Sequence, residues 1–224
     1  MEEIFIVKRV EVGGVNNCTY IIINAEEKVA IVVDPAWDLE KILKCINENG
    51  VVLKAILLTH SHYDHTNLVT PLVEKFDCRV YMSSKEINFY GFESDNLIPV
   101  NDTEIIRIGN LQIKCILTPG HTAGSMCFQI GSVLFTGDTV FIRSCGFCNC
   151  KGSNYNEMFE SIKKIKEIVQ DDIAIYPGHY FNDDLKYEKE YFKRNIYFHI
   201  NDKKTFKKII ALSGDKNIFL KYEC

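Results

Sequence analysis

The stretch 57-LLTHSHYDHTNLV-69 sets three histidines and one aspartate, all between positions 60 and 65, directly behind an apolar run. The chain holds six histidines in 224 residues, so half of them fall in one turn of backbone. The preceding run, 51-VVLKAILLT-59, is almost continuously apolar, as a strand buried on both faces would be. If that strand reaches Thr59, His60 and His62 leave an extended backbone at i and i+2, and their imidazoles point to one side. Asp64 and His65 sit where the next helix begins and approach from a second direction. Imidazole and carboxylate at this spacing suit zinc or another borderline divalent ion. Asp64 alone could cap a helix, and one histidine would carry no weight. Capping does not account for all four.

Outward from this loop the same device recurs. In 116-ILTPGHTAGS-125, 134-LFTGDTVF-141 and 173-IAIYPGHY-180 an apolar strand ends in a glycine-flanked turn. Each turn carries one ligand-type side chain: His121, Asp138 and His179. Only His199 among the histidines lies outside these loops. Together His60, His62, Asp64, His65, His121, Asp138 and His179 exceed what one tetrahedral ion takes, and suit two ions sharing a carboxylate.

The rest of the chain supplies a layered framework. Ile- and Val-rich runs at 3–10, 18–24 and 28–34 read as strands. Segment 38–50 has helical spacing, with Leu39, Ile42, Leu43 and Ile46 on one face and Gly50 as a stop. One helix is expected over 66–76, a strand over 78–83 and a short helix over 84–92. Strands follow at 104–109, 111–118, 125–131 and 132–137. An irregular Cys/Gly stretch then leads to a helix over 156–169, a strand over 173–177, and helices near 184–194 and 203–212. Strand groups interspersed with helices imply an α/β protein, expected as a single domain spanning 1–224.

A net charge of −4 and a pI near 5.9 give no whole-molecule attraction to nucleic acid. No apolar run approaches bilayer length, and no signal-peptide pattern opens the chain. Nine cysteines, an odd number, fit reduced thiols in the cytoplasm better than a disulfide framework. Cys145, Cys148 and Cys150, in 145-CGFCNC-150, could be a second metal site or a redox pair. Without a fourth thiolate nearby, packing of a substrate loop is the favoured reading. Lys203, Lys204, Lys207 and Lys208 form a basic helix face, solvated by default or met by an acidic partner.

The H-x-H-x-D-H run followed by separated His, Asp and His resembles the metallo-β-lactamase fold hydrolases along the whole chain. The resemblance implies a four-layer αβ/βα sandwich with metals at one sheet edge. It also implies one zinc on His60, His62 and His121, a second on Asp64, His65 and His179, and Asp138 between them. Asp34, in 33-VDPAW-37, then corresponds to an aspartate that fixes ring orientation, or else to a strand-end cap. Two such ions can hold a bridging hydroxide as nucleophile, with Asp64 placed to orient it.

Within that superfamily, TPGHTAGS, TGDTVF and YPGH resemble the glyoxalase II branch of thioester hydrolases. Phe147, however, follows the Cys145–Gly146 step where that branch often has a basic residue. The segments VDPAW, EINFYGF, CGFC, EMFESI and NIYFHI are similar to the zinc-dependent hydrolases of trans-acyltransferase polyketide synthase clusters, the bacillaene type. That implies an acyl thioester on a phosphopantetheine arm, with an acyl carrier protein or a small-molecule thioester as partner. Cys145, Phe147, Cys148 and His199 would then lie along the substrate loop. The alternatives are a glyoxalase II-type hydroxyacylglutathione hydrolase and a persulfide dioxygenase with one Fe2+, which shares part of the 142-IRSCG-146 neighbourhood.

Overall fold

Runs of Ile and Val become the strands, and the alternation of their side chains decides which layer each face meets. The computed structural model describes residues 5–14, 16–169, 173–180 and 195–214. One sheet runs, in spatial order, β1 (Ile6–Val12), β2 (Asn17–Asn24), β3 (Val29–Val33), β4 (Val52–Leu58), β5 (Arg79–Ser83) and β6 (Leu97–Val100). The other runs β11 (Ala174–Pro177), β10 (Val133–Gly137), β9 (Met126–Ile130), β8 (Leu111–Leu117) and β7 (Ile105–Ile108). In the first sheet β1, β2 and β3 pair antiparallel, and β3 through β6 are parallel. In the second only β10 and β11 are parallel. Among the described residues the helices are α1 (Leu39–Glu48), α2 (Tyr63–Thr66), α3 (Val69–Phe76), α4 (Ser84–Tyr90), α5 (Tyr155–Ile168) and α6 (Lys203–Gly214), with a 3-10 turn at Ile196–His199.

Three buried clusters give four layers. Tyr20, Ile22, Ile31, Val33 and Leu57 of the first sheet pack against Ile113, Phe128 and Phe135 of the second. Their neighbours one residue along, Ile21, Ile23, Val32 and Ile56, face outward onto Ile42, Ile46, Leu72 and Val73 of α1 and α3. On the far side Ile116, Leu134 and Ile175 meet Met158, Ile162 and Phe206 of α5 and α6. A period of two thus feeds both the inter-sheet core and a helix layer. This is the expected αβ/βα sandwich.

Two local expectations are corrected. The single helix over 66–76 is broken: Leu68 N–H is diverted to the Pro35 carbonyl (3.2 Å), which separates α2 from α3. Pro71 is tolerated because it falls in the first turn of α3. Strand β6 was not expected; it accommodates Pro99 because at a sheet edge the missing N–H costs no ladder bond. The helix expected near 184–194 lies outside the described residues. Cys18, Cys45, Cys78, Cys115, Cys127, Cys145 and Cys148 are free thiols, whereas Cys150, in the loop between β10 and α5, is disulfide-bonded. That bond departs from the reduced thiols expected throughout.

The sheets are tied at the end where the ligand loops emerge. Tyr20, on β2, donates its buried hydroxyl to the Pro177 carbonyl at the end of β11 (2.6 Å). Met126 N–H donates to the Thr59 carbonyl and Cys18 N–H to the Gly178 carbonyl, both at 2.8 Å. Among the described residues, no helix is long and apolar enough to cross a membrane. Removing the hydroxyl in Tyr20→Phe strands a buried carbonyl and is expected to cost about 1–3 kcal/mol. Urea unfolding should show a lower midpoint at unchanged slope, and an unchanged midpoint would count against the tie.

Candidate metal centre

Five loops leave the carboxyl ends of β3, β4, β8, β10 and β11 and bring their side chains to one place. From the β4 loop, His60 Nε2 lies 3.1 Å from His62 Nδ1, which lies 3.1 Å from His121 Nε2 of the β8 loop. From α2 and the β11 loop, His65 Nε2 lies 3.2 Å from His179 Nε2, with Asp64 Oδ2 at 3.6 and 3.4 Å from the two. Asp138, after β10, stands between these triads. Its Oδ1 is 3.5 Å from His65 Nε2, and its Oδ2 is 3.5 Å from His121 Nε2 and 3.4 Å from His179 Nε2.

The outer nitrogens explain why the inner ones converge. Asp34, buried at the end of β3, accepts from Thr59 N–H (2.8 Å) and from the Thr59 hydroxyl (2.6 Å). With its own proton spent on Asp34, Thr59 Oγ1 can only accept from His60 Nδ1 (3.0 Å). His65 Nδ1 donates to Asp34 Oδ2 (3.1 Å), and His121 Nδ1 to the Phe147 carbonyl (2.8 Å). Each ring therefore turns its Nε2 inward, and His62 adds Nδ1 from the facing side.

The arrangement fits divalent ions on two observations. Lone-pair nitrogens 3.1–3.2 Å apart cannot all hydrogen-bond one another, yet ligands of a tetrahedral zinc stand about 3.3 Å apart. The buried Asp138 Oδ1 has no hydrogen-bond partner, a cost that a cation between the triads removes. The donor groups fall into two sets, His60/His62/His121 and Asp64/His65/His179. A third grouping, Asp34/His60/His65, is explained by Asp34's bonds to Thr59 and His65.

Electrostatics differ between the two sets. Burial, reinforced by the surrounding imidazoles, holds His60 well below its ordinary value and takes His62 down to about 3. Burial opposes charge at His65 too, but Asp64, Asp138 and Asp34 outweigh it and raise that ring to about 9. At His179 the same contest ends well above the ordinary value through Asp138 and Asp64. Burial favours the neutral acids at Asp64 and Asp138, but the neighbouring imidazoles, with Asn17 at Asp64, hold both well below the carboxylate range.

Three residues not expected at the site complete it. Thr59 carries the relay just described. Asn17 Nδ2 donates to Asp64 Oδ2 (3.0 Å) and to the Asp64 carbonyl (2.9 Å). Glu86, fully buried on α4, accepts from Ser61 N–H (2.9 Å), the Ser61 hydroxyl (2.7 Å), the Thr122 hydroxyl (2.9 Å) and Gly124 N–H (2.8 Å). It thereby clamps the His60–His65 loop to the His121 loop. Gly178 is required by close approach, since a Cβ there would lie 2.7 Å from His65 Cε1.

The substrate-loop candidates are placed differently from one another. Cys145 is buried with Met158 and Tyr197, and Cys148 packs against the same cluster. Burial pushes the Cys145 thiol well above its ordinary value and Cys148 up to about 12, so neither is a ready thiolate ligand or nucleophile. Phe147 contributes its backbone carbonyl to His121. His199 is exposed on the 3-10 turn.

A family model described as the metallo-beta-lactamase superfamily matches residues 12–179. The chain is 48% identical over 208 residues to the "Probable polyketide biosynthesis zinc-dependent hydrolase PksB" of Bacillus subtilis, covering 92% of each. It is 45% identical over 205 residues to the similarly named BaeB of Bacillus velezensis, covering 91% of each. The crystal structure of ETHE1 from Myxococcus xanthus superposes with a TM-score of 0.82 at 23% identity, covering 92% of this chain and 90% of that one. At that identity the likeness speaks to the fold alone.

Glu86→Ala leaves a buried donor at Gly124 and half-buried donors at Ser61 without a partner and is expected to destabilise by about 2–4 kcal/mol. Calorimetry checks this, and an unmoved transition temperature would contradict the clamp. Asp34→Asn is expected to weaken metal affinity by about 10–100-fold, read by competition with a chromophoric chelator. Wild-type affinity in that variant would remove Asp34 from the relay.

Proposed function

Because the chain belongs to the metallo-beta-lactamase superfamily and is a hydrolase within it, we propose that its reaction is zinc-dependent cleavage of an acyl thioester. The substrate is an acyl group on a phosphopantetheine thiol, carried by an acyl carrier protein in polyketide biosynthesis. The observation that carries this reading is the buried Asp138 Oδ1, left without a hydrogen-bond partner between two complete ligand triads. The names of the PksB and BaeB relatives support zinc and the biosynthetic setting.

His60, His62 and His121 would hold one ion, Asp64, His65 and His179 the other, and Asp138 reaches toward both. When bound, zinc supplies a water acidified toward neutral pKa and polarisation of a carbonyl oxygen. The chain does the rest by orientation. Thr59, Asp34 and the Phe147 carbonyl accept from the outer ring nitrogens and so aim the inner nitrogens of His60, His121 and, once its second proton is lost, His65 at the centre. Asn17 aims Asp64, whose side chain is 29% exposed while those of His65, Asp138 and His179 are buried, so the centre reaches solvent at Asp64 and at the half-buried His62. A thiol with a pKa of about 8.5 leaves as its thiolate without a strong acid, so the reading requires no proton donor for the leaving group.

Zinc-loaded protein is expected to hydrolyse carrier-protein-bound and coenzyme A acyl thioesters, with two zinc ions per chain by elemental analysis. Asp138→Ala should lower kcat/KM by at least about a hundredfold, since even supporting residues of metal sites are worth 10–100-fold. One iron per chain with oxygen uptake, or full turnover in Asp138→Ala, would contradict the proposal.

A further inference from the structure

The chain's single tryptophan, Trp37, sits at the open side of the centre in a conformation that costs energy to hold. Its backbone φ is +64°, a region bulky residues seldom enter and one that clusters at functional sites. Three contacts maintain it. Trp37 N–H donates to Asn67 Oδ1 (2.8 Å), and the indole Nε1–H donates to Asn17 Oδ1 (3.0 Å). The ring also occupies the space a side chain would need at Gly13, where a Cβ would lie 2.7 Å from Nε1. Asn17, itself buried, spends its amide hydrogens on Asp64 and its oxygen on Trp37. Indole and candidate ligand carboxylate are therefore positioned by one residue.

Tyr63 lies between His62 and Asp64 in sequence and meets Trp37 edge to face, with ring centroids 5.8 Å apart. Tyr63 is 70% exposed and Trp37 37%. Two aromatic rings thus stand open beside the one ligand carboxylate that reaches solvent. The indole's only donor is already committed to Asn17, so the surface Trp37 offers is apolar. A thiol arm rich in amides gains little from such a face, whereas a hydrocarbon chain gains its burial.

We infer that Trp37 and Tyr63 form the wall that receives the apolar acyl chain of the substrate and so set the acyl-length preference. This inference rests on the thioester reading above. It assigns the two rings as specificity-determining residues and leaves the thiol side of the substrate to other surfaces.

The test compares acetyl and octanoyl thioesters of N-acetylcysteamine, then the same pair on coenzyme A, with zinc-loaded protein. Wild type should favour octanoyl with either thiol. Trp37→Ala should lower the octanoyl-to-acetyl ratio of kcat/KM by about tenfold, the scale of a few lost apolar contacts. Tyr63→Ala, at an exposed position, should move it the same way, and Trp37→Phe should retain most of the preference. Independently of turnover, a non-hydrolysable octanamide analogue should change the emission of the single tryptophan. A ratio unmoved in both alanine variants, a change that follows the thiol instead of the acyl group, or unaltered emission would overturn the wall alone. A wild type that hydrolyses none of the four thioesters would overturn the thioester reading and the wall with it.

Discussion

A buried cluster of imidazoles persists only if each ring's outer nitrogen has a fixed place for its proton. Here that place is supplied by a short chain of acceptors. Asp34 takes the Thr59 hydroxyl proton, which obliges Thr59 to accept from His60, and the same carboxylate takes the proton of His65. The Phe147 carbonyl does this for His121. Reversing any one of these bonds would turn a proton toward the centre, where a lone pair is needed. Metal affinity, ring orientation and loop conformation are thus one problem, solved by hydrogen-bond direction.

The sandwich makes that solution possible by putting five loops at the same end of two sheets. Parallel strands β3 and β4 deliver Asp34 and the His60–His65 loop side by side, and β10 and β11 do so for Asp138 and His179. Cross-links then set distances that strand pairing alone leaves loose. Tyr20 joins the sheets through Pro177, Glu86 joins the two histidine loops, and Asn17 joins the first hairpin to Asp64. Residues held in left-handed backbone, Asp34 at φ +49° and Trp37 at +64°, fall within this region. Strain there is sustained by the buried bonds around it.

The ligand-type side chains were legible in the sequence because each interrupts a strong apolar pattern at a strand end, as His121, Asp138 and His179 do. The four layers were legible from alternation in runs such as 18-CTYIIIN-24. What escaped notice has identifiable physical causes. Glu86 stands three residues after Ser83, the spacing of a helix capping box. Ser83 does cap, but the Glu86 carboxylate leaves its helix for Ser61, Thr122 and Gly124. Asn17 reads as a turn residue, and Thr59 as the last residue of a strand. Phe147 acts at the centre through its carbonyl, which carries no trace of side-chain identity. Strand β6 was hidden by Pro99, whose restriction lapses at a sheet edge.

In the proposed centre, seven side chains from four loops face a pair of ions. Anomalous diffraction from zinc-soaked crystals at the zinc absorption edge tests it most directly. Two peaks are expected, one enclosed by His60, His62 and His121 and one by Asp64, His65 and His179, with Asp138 in contact with both. A lone peak, or density that leaves either triad turned away from its ion, would contradict it.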